Sequence, residues 1–251
     1  MKTIHKHKLA AVLEMKWRGL FSKNFIIMPL TSIGITFVML LLYQSIAMGQ
    51  GHVLTDYLRA MALGVGATMN ITMTGILCTA MSLAEEKEKH TLRALMTSSV
   101  NGLEFFLGSV VPVVFLMTLV NGLLILVSGL SLSLSSWAAW IGVSLLCAVA
   151  SAVLGMVLGI CTRDQMSAST FSTIPMLFLA VVPSFGAFNA GLKRISDFLF
   201  TGVLANTAHV LVEDSPVLPL PGLAVIIGEI LLAAALFLWV YRRNGYDAGA
   251  A

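Results

Sequence analysis

The sequence predicts an all-α, polytopic membrane protein: six transmembrane helices, an N-terminal amphipathic interfacial helix, and one charged cytoplasmic helix between the second and third spans. Three observations predict it. Hydrophobic residues make up 58% of the 251 and charged residues only 11%, where soluble domains carry roughly 25% charged, and the mean hydropathy is +0.93. Six apolar stretches each approach the roughly 20 residues that a helix needs to cross a hydrocarbon core of about 30 Å. Finally, twelve of the 15 Lys and Arg residues fall on one side of those stretches. The whole chain, 1–251, reads as a single membrane domain.

Within residues 1–24, Leu9, Val12, Leu13, Trp17, Leu20 and Phe21 recur at helical spacing, with Lys8, Glu14 and Arg18 largely on the remaining face. That stripe predicts a helix lying in the membrane interface, Trp17 at headgroup depth and lysines near anionic lipid. The plainer alternative is a solvated basic tail. The spans are expected near Phe25–Ile46, Tyr57–Leu83, Phe105–Leu130, Ala138–Cys161, Ala168–Phe188 and Gly222–Tyr241. No stretch alternates with a period of two, so these are helices rather than barrel strands. Ser45-Ile46-Ala47 has the small-residue spacing of a cleavage site. The long basic region and long apolar run ahead of it instead predict an uncleaved anchor.

The basic residues set the orientation. Lys2, Lys6, Lys8, Lys16, Arg18, Lys23, Lys87, Lys89, Arg93, Arg163, Arg242 and Arg243 lie on one side, and only Arg59, Lys193 and Arg194 on the other. Basic residues accumulate in cytoplasmic loops, so both termini are expected in the cytoplasm, with the chain multi-pass in a plasma or bacterial inner membrane. On the outer side, segment 189–221 carries Leu192, Ile195, Phe198, Leu199 and Val203 and closes with Pro216, Pro219 and Pro221. It predicts one or two short helices dipping back into the outer leaflet or capping the bundle.

Catalytic signatures are missing. The chain has no G-x-x-x-x-G-K-[ST] loop, no H-E-x-x-H, no nucleophile elbow, and no paired intramembrane acids. Cys78, Cys147 and Cys161 show neither a disulfide framework nor metal-ligand spacing and read as packing residues. A net charge of +3 provides no footprint for nucleic acid. These features point to a pore, transporter or receptor subunit whose energy, if work is done, comes from a partner.

The segment 84–104 holds Glu85-Glu86-Lys87-Glu88-Lys89-His90-Thr91-Leu92-Arg93, then Leu95-Met96-Thr97-Ser98-Ser99-Val100, then Glu104-Phe105-Phe106. It resembles the signature of ABC-2-type transporter permeases, an E-R-E-[KR]-G-T-L-E run followed by an L-L-x-[ST]-P-[VI] turn and the third span. His90, Arg93 and Ser99 stand where the family has glycine, an acid and proline. The resemblance implies two permease copies, identical or related, paired in the membrane over two separate ATPase subunits that bind ATP and Mg. The insert would then be a coupling helix. Glu86 and Glu88 would pair with basic residues of the ATPase, and Thr91 and Leu92 would seat the helix. A merely solvated charged loop is the plainer reading.

Two weaker signals remain. Asn70 and Thr74 in the second span, and Ser172 and Thr173 in the fifth, are candidate substrate-pathway residues, although small hydroxylated faces more often pack helices. Glu229 lies inside the sixth span, where an acid is a functional hypothesis by default. Three roles are open to it: protonation, pairing with the outer segment (His209 or Lys193), or a place in a proton or cation path. The function expected is a permease subunit of an ATP-driven exporter of an amphiphilic drug, peptide or lipid-like substrate. The alternative is an ion-coupled secondary transporter or channel built around Glu229.

Overall fold

The computed structural model describes residues 6–20, 23–49, 51–89, 102–186, 188–212 and 220–243. The described residues form helices and short connections without a strand, and six of the helices are long and apolar enough to cross a membrane. Such spans must satisfy their own backbone groups, and helices do so within one segment. In order they are α1 (Lys6–Leu20), α2 (Lys23–Gly49), α3 (Asp56–Asn70), a π-helical stretch (Ile71–Cys78), α4 (Thr79–Glu88), α5 (Gly102–Ser128), α6 (Leu134–Cys161), α7 (Gln165–Gly186), α8 (Ala190–Ser196), α9 (Phe200–Val210) and α10 (Leu220–Arg243).

The second span, α3 through α4, runs unbroken from Asp56 to Glu88 and is the axis of the bundle. In its most apolar window 83% of residues are buried, against 17% in the first and sixth spans, which are therefore peripheral. Small residues let neighbouring backbones close on it. A Cβ at Gly155 would sit 2.7 Å from the Ile76 carbonyl oxygen, and one at Gly159 2.7 Å from that of Ala80. With Ser151 these form a small-residue stripe on α6 at four-residue spacing, the pattern that brings membrane helices into backbone contact. The Ser151 hydroxyl also donates to the Ile71 carbonyl at 2.6 Å. It thereby supplies a partner from α6 where the axis changes from α to the wider π turn.

Both tips of the axis reach across to cap other helices. At the tip holding Asp56, Thr55 caps α3 through the Leu58 N–H at 3.4 Å. Arg59 Nη1 there donates to the Ser128 and Gly129 carbonyls at 3.2 and 3.3 Å, where α5 ends on a left-handed Gly129 (φ +68°). A cation at a helix C-terminus satisfies orphan carbonyls and complements the dipole.

Helix boundaries shift from those expected. The second span is longer than Tyr57–Leu83 and absorbs Glu85–Glu88, so the first half of the charged insert is the last turn of that span rather than a separate helix. Residues 90–101, Thr91 and Leu92 among them, lie outside the described residues. The expected α1 is present, and part of its stripe packs on protein. Val12 is 4% exposed and touches α5 at Gly108, while Trp17 stacks on Phe115 with ring centroids 5.5 Å apart. The side chains of Leu9, Leu20 and Phe21 lie outside the described residues.

The segment after α7 turns back into the bundle. Phe200, Thr201, Leu204, Thr207 and Ala208 of α9 are buried, and α9 packs along α3. Its first residue contacts Cys147 of α6 and Glu229 of α10. Those residues lie about 20 and 14 Å from the far ends of their helices at 1.5 Å per residue, so α9 starts deep in the bundle and rises outward.

Candidate functional site

At the charged end of the axis, consecutive side chains of the last turn each hold a different element. Glu86 accepts an ion pair from Lys16 of α1 at 2.5 Å, with the two side chains only 14% and 9% exposed. Lys16 also lies 5.1 Å from the Phe105 ring centroid of α5, which adds a cation–π contact. Lys87 Nζ donates to the Ile160 carbonyl at 2.7 Å and to the Thr162 carbonyl, closing the C-terminus of α6. Glu88 Oε2 accepts from the backbone N–H of Gln165, the first residue of α7, at 3.1 Å. The charge signs follow the helix dipoles, with a cation on the carbonyl end of α6 and an anion on the N–H end of α7.

The turn between α6 and α7 is itself fixed. Asp164 Oδ1 accepts from the Ser167 N–H at 2.8 Å, and Ser167 Oγ accepts from the Asp164 N–H at 3.3 Å, a reciprocal capping pair at the start of α7. The Ser167 backbone N–H holds the Asp164 carboxyl below its usual range. On the exposed side of the axis tip, Lys89 pairs with Glu85 at 2.5 Å. Its hydrogen bond to that carboxylate, and then the carboxylate's charge, push the ammonium above its usual value.

Glu86 and Glu88 are the carboxylates expected to pair with basic residues of an ATPase. Both carboxylates are engaged within the chain, Glu86 by an ammonium and Glu88 by a backbone amide. Glu88 remains exposed at the surface beside the insert. Locally, α1 and two helix termini converge on this turn, and their charges and orphan groups lie within its reach.

The four pathway candidates part company. Asn70 and Thr74 are fully buried in the protomer. Asn70 Nδ2 donates to the Met117 carbonyl at 2.9 Å and to Asn121 Oδ1 at 2.8 Å, and Thr74 donates to Asn70 Oδ1 at 3.2 Å. Asn121 continues to Ser144 at 3.3 Å, and the Trp140 indole donates to the Asn121 carbonyl at 3.0 Å. This chain of hydrogen bonds joins the axis to α5 and α6, the packing role such residues more often play. Ser172 is buried, and its hydroxyl has no partner among the described residues. Thr173 is half-buried and bonds back to Ser169 within α7.

Glu229 is half-buried, and its Oε2 accepts from the Phe200 N–H at 2.9 Å. Its partner is therefore neither His209 nor Lys193 but the first N–H of α9, whose N-cap position, Leu199, has no side chain to do this. Glu229 caps α9 from a different helix, as an anion suits a helix N-terminus.

None of the four pathway candidates lines the half-open cavity of about 310 Å³ at the far end, whose lining comes from α3, the end of α7, α8 and α9. Its polar lining includes Asn206 and His209, which sequence reasoning did not single out as a site. The available signal was an amide and an imidazole at three-residue spacing on a largely apolar helix. The Ser151–Gly155–Gly159 stripe was also missed, although its four-residue period is plain in the sequence.

Comparison with known families matches residues 44–239 to a family model described as ABC-2 family transporter protein. No curated protein matches the chain.

Proposed function

The chain belongs to the ABC-2 family of transporter proteins, a multi-pass membrane permease, and from that premise we propose that it is the membrane-spanning subunit of an ATP-driven exporter. A separate ATPase would bind ATP and Mg and dock at the charged end. A second permease copy, identical or related, would complete the pathway in the membrane. The termini face the ATPase side, the cytoplasm, and an amphiphilic drug, peptide or lipid-like cargo leaves at the far end. Thr91 and Leu92 would seat the insert on the ATPase, and the exposed Glu88 would contact it from the edge.

The observation that carries this reading is the three-way grip of Glu86, Lys87 and Glu88. A force applied to the insert that follows reaches α1, the end of α6 and the start of α7 within one helical turn. It then travels along the buried axis that those helices pack against. Coupling of this kind requires a contiguous physical connection between two arrangements, and the axis supplies one from the insert to the far-end cavity. An ion-coupled carrier built on Glu229 finds no such support, since that carboxylate is occupied in capping α9.

The test is purification of the tagged chain with the products of its genomic neighbours. A stoichiometric ATPase that is lost on Leu92→Asp supports the reading. A chain that purifies alone and moves ions or solute down a gradient overturns it and returns attention to Glu229.

A further inference from the structure

We propose that the far-end cavity is a binding site for a zwitterionic amphiphile, one whose headgroup carries an ammonium and an anionic oxygen on an apolar tail. The proposal rests on the permease reading and names the cargo class for it. The cavity, about 310 Å³, falls at the small end of the range for ligand sites and suits a headgroup rather than a whole lipid.

Its walls differ in chemistry. On the α8 side stand Lys193 and Asp197, both about half exposed and 3.3 Å apart. An exposed pair four residues apart on a helix is worth little to the fold, so both groups are available at small cost to a ligand bearing the opposite pair. Across from them, one face of α9 presents Asn206 and His209, able to donate and accept. His209 is set by its stacking on Tyr57, centroids 5.1 Å apart. Gly64, Gly202 and Ala205 add small residues to the lining.

The tail has a place as well. Met61, Val65 and Pro183 supply apolar lining. The lining positions Ser184 and Asp197 are followed in sequence by Phe185 and Phe198, which are 52% and 74% exposed. A headgroup in the cavity would leave its chain to run toward these exposed phenylalanines. A single-sign ligand would leave either Lys193 or Asp197 facing a like charge, which is why the geometry selects a zwitterion.

Binding to the purified full chain in uncharged maltoside micelles tests this with three probes: dioctanoyl phosphatidylethanolamine, dioctanoyl phosphatidylglycerol and soluble O-phosphoethanolamine. The first should bind roughly tenfold or more tightly than the second, which lacks the ammonium, since a charge-assisted hydrogen bond is worth about that factor. Asp197→Asn should remove that preference by weakening only the first, Lys193→Gln should weaken both lipids, and Ser184→Phe should fill the space and abolish binding. Asp197 and Lys193 are surface residues, so their variants retain the fold, checked by monodispersity on gel filtration. Equal binding of the two lipids, or unchanged binding in Asp197→Asn and Ser184→Phe, overturns the proposal. Soluble O-phosphoethanolamine binding as tightly as the lipid overturns the amphiphile in favour of a small free zwitterion. The assay needs no ATPase and no turnover, so its failure leaves the permease reading standing. A failed ATPase association likewise leaves this binding test intact.

Discussion

Glu229 shows how much one side chain's role depends on what folds against it. As a sequence feature it is an acid in an apolar span, open to proton coupling, ion conduction or pairing. In the fold it is the cap of α9, and it accepts from an N–H that Leu199 cannot satisfy. Removing the acceptor leaves a buried backbone donor unpaired, which costs about 1–3 kcal/mol. Glu229→Ala should therefore lower thermal stability and speed hydrogen exchange at residues 200–203. Glu229→Gln keeps an acceptor oxygen and should lose only the dipole contribution, about 0.3–1 kcal/mol. If the Gln and Ala variants exchange at the parent rate, the capping role is wrong.

At the scale of elements, the axis and α6 are held by contact between backbones, which only small residues permit. A Cβ at Gly155 would meet two carbonyl oxygens of the π stretch, at 2.7 and 2.8 Å, and backbone cannot swing aside as a side chain does. Gly155→Ala is expected to destabilise by about 1–3 kcal/mol, the usual cost of overpacking. The control is Gly142→Ala on the same helix, where a Cβ meets nothing within 4 Å, and its melting temperature should equal or slightly exceed the parent's. Equal effects of the two would remove the close approach as a determinant. The start of α7 offers a pH test. The Asp164 carboxyl is held below its ordinary range by the Ser167 N–H. Its stabilisation is thus present above the unfolded-state value and is lost as pH falls through the lower folded-state value. Asn caps nearly as well and does not titrate. Melting curves should accordingly show the parent's advantage over Asp164→Asn shrinking as pH falls below the ordinary aspartate value of about 3.9. A pH-independent difference would rule this out.

Across the whole molecule, the charged end acts as a junction and the far end as a chamber, with the axis running between them. The Lys16–Glu86 pair ties α1 to that junction under little solvent. Breaking one partner of such a pair costs about 3–5 kcal/mol. Lys16→Glu and Glu86→Lys should each impair folding or transport, and the double swap should restore most of what either loses. Restoration identifies the pair as internal. If the double variant folds but does not bind the proposed ATPase, Glu86 instead belongs to that partner's interface. The peripheral first and sixth spans, 17% buried in their apolar windows, leave broad faces for lipid or a second copy.

Composition and period were enough to determine class and span count. Each depends on which residues tolerate hydrocarbon or water, a property a residue carries wherever the chain places it. The insert could be read as charged and its family resemblance stated, and the family match over residues 44–239 agrees with that resemblance. The sequence could not say which groups the charges would meet. Glu86, Lys87 and Glu88 found partners 70 or more residues away in sequence, and Lys87 and Glu88 did so on helix ends. Asn70 and Thr74 turned inward to a hydrogen-bond chain, and the far-end cavity drew its walls from α3, α7, α8 and α9. Hydrogen bonds and cavities act over a few ångströms between segments far apart in the chain, so only the tertiary structure decided them.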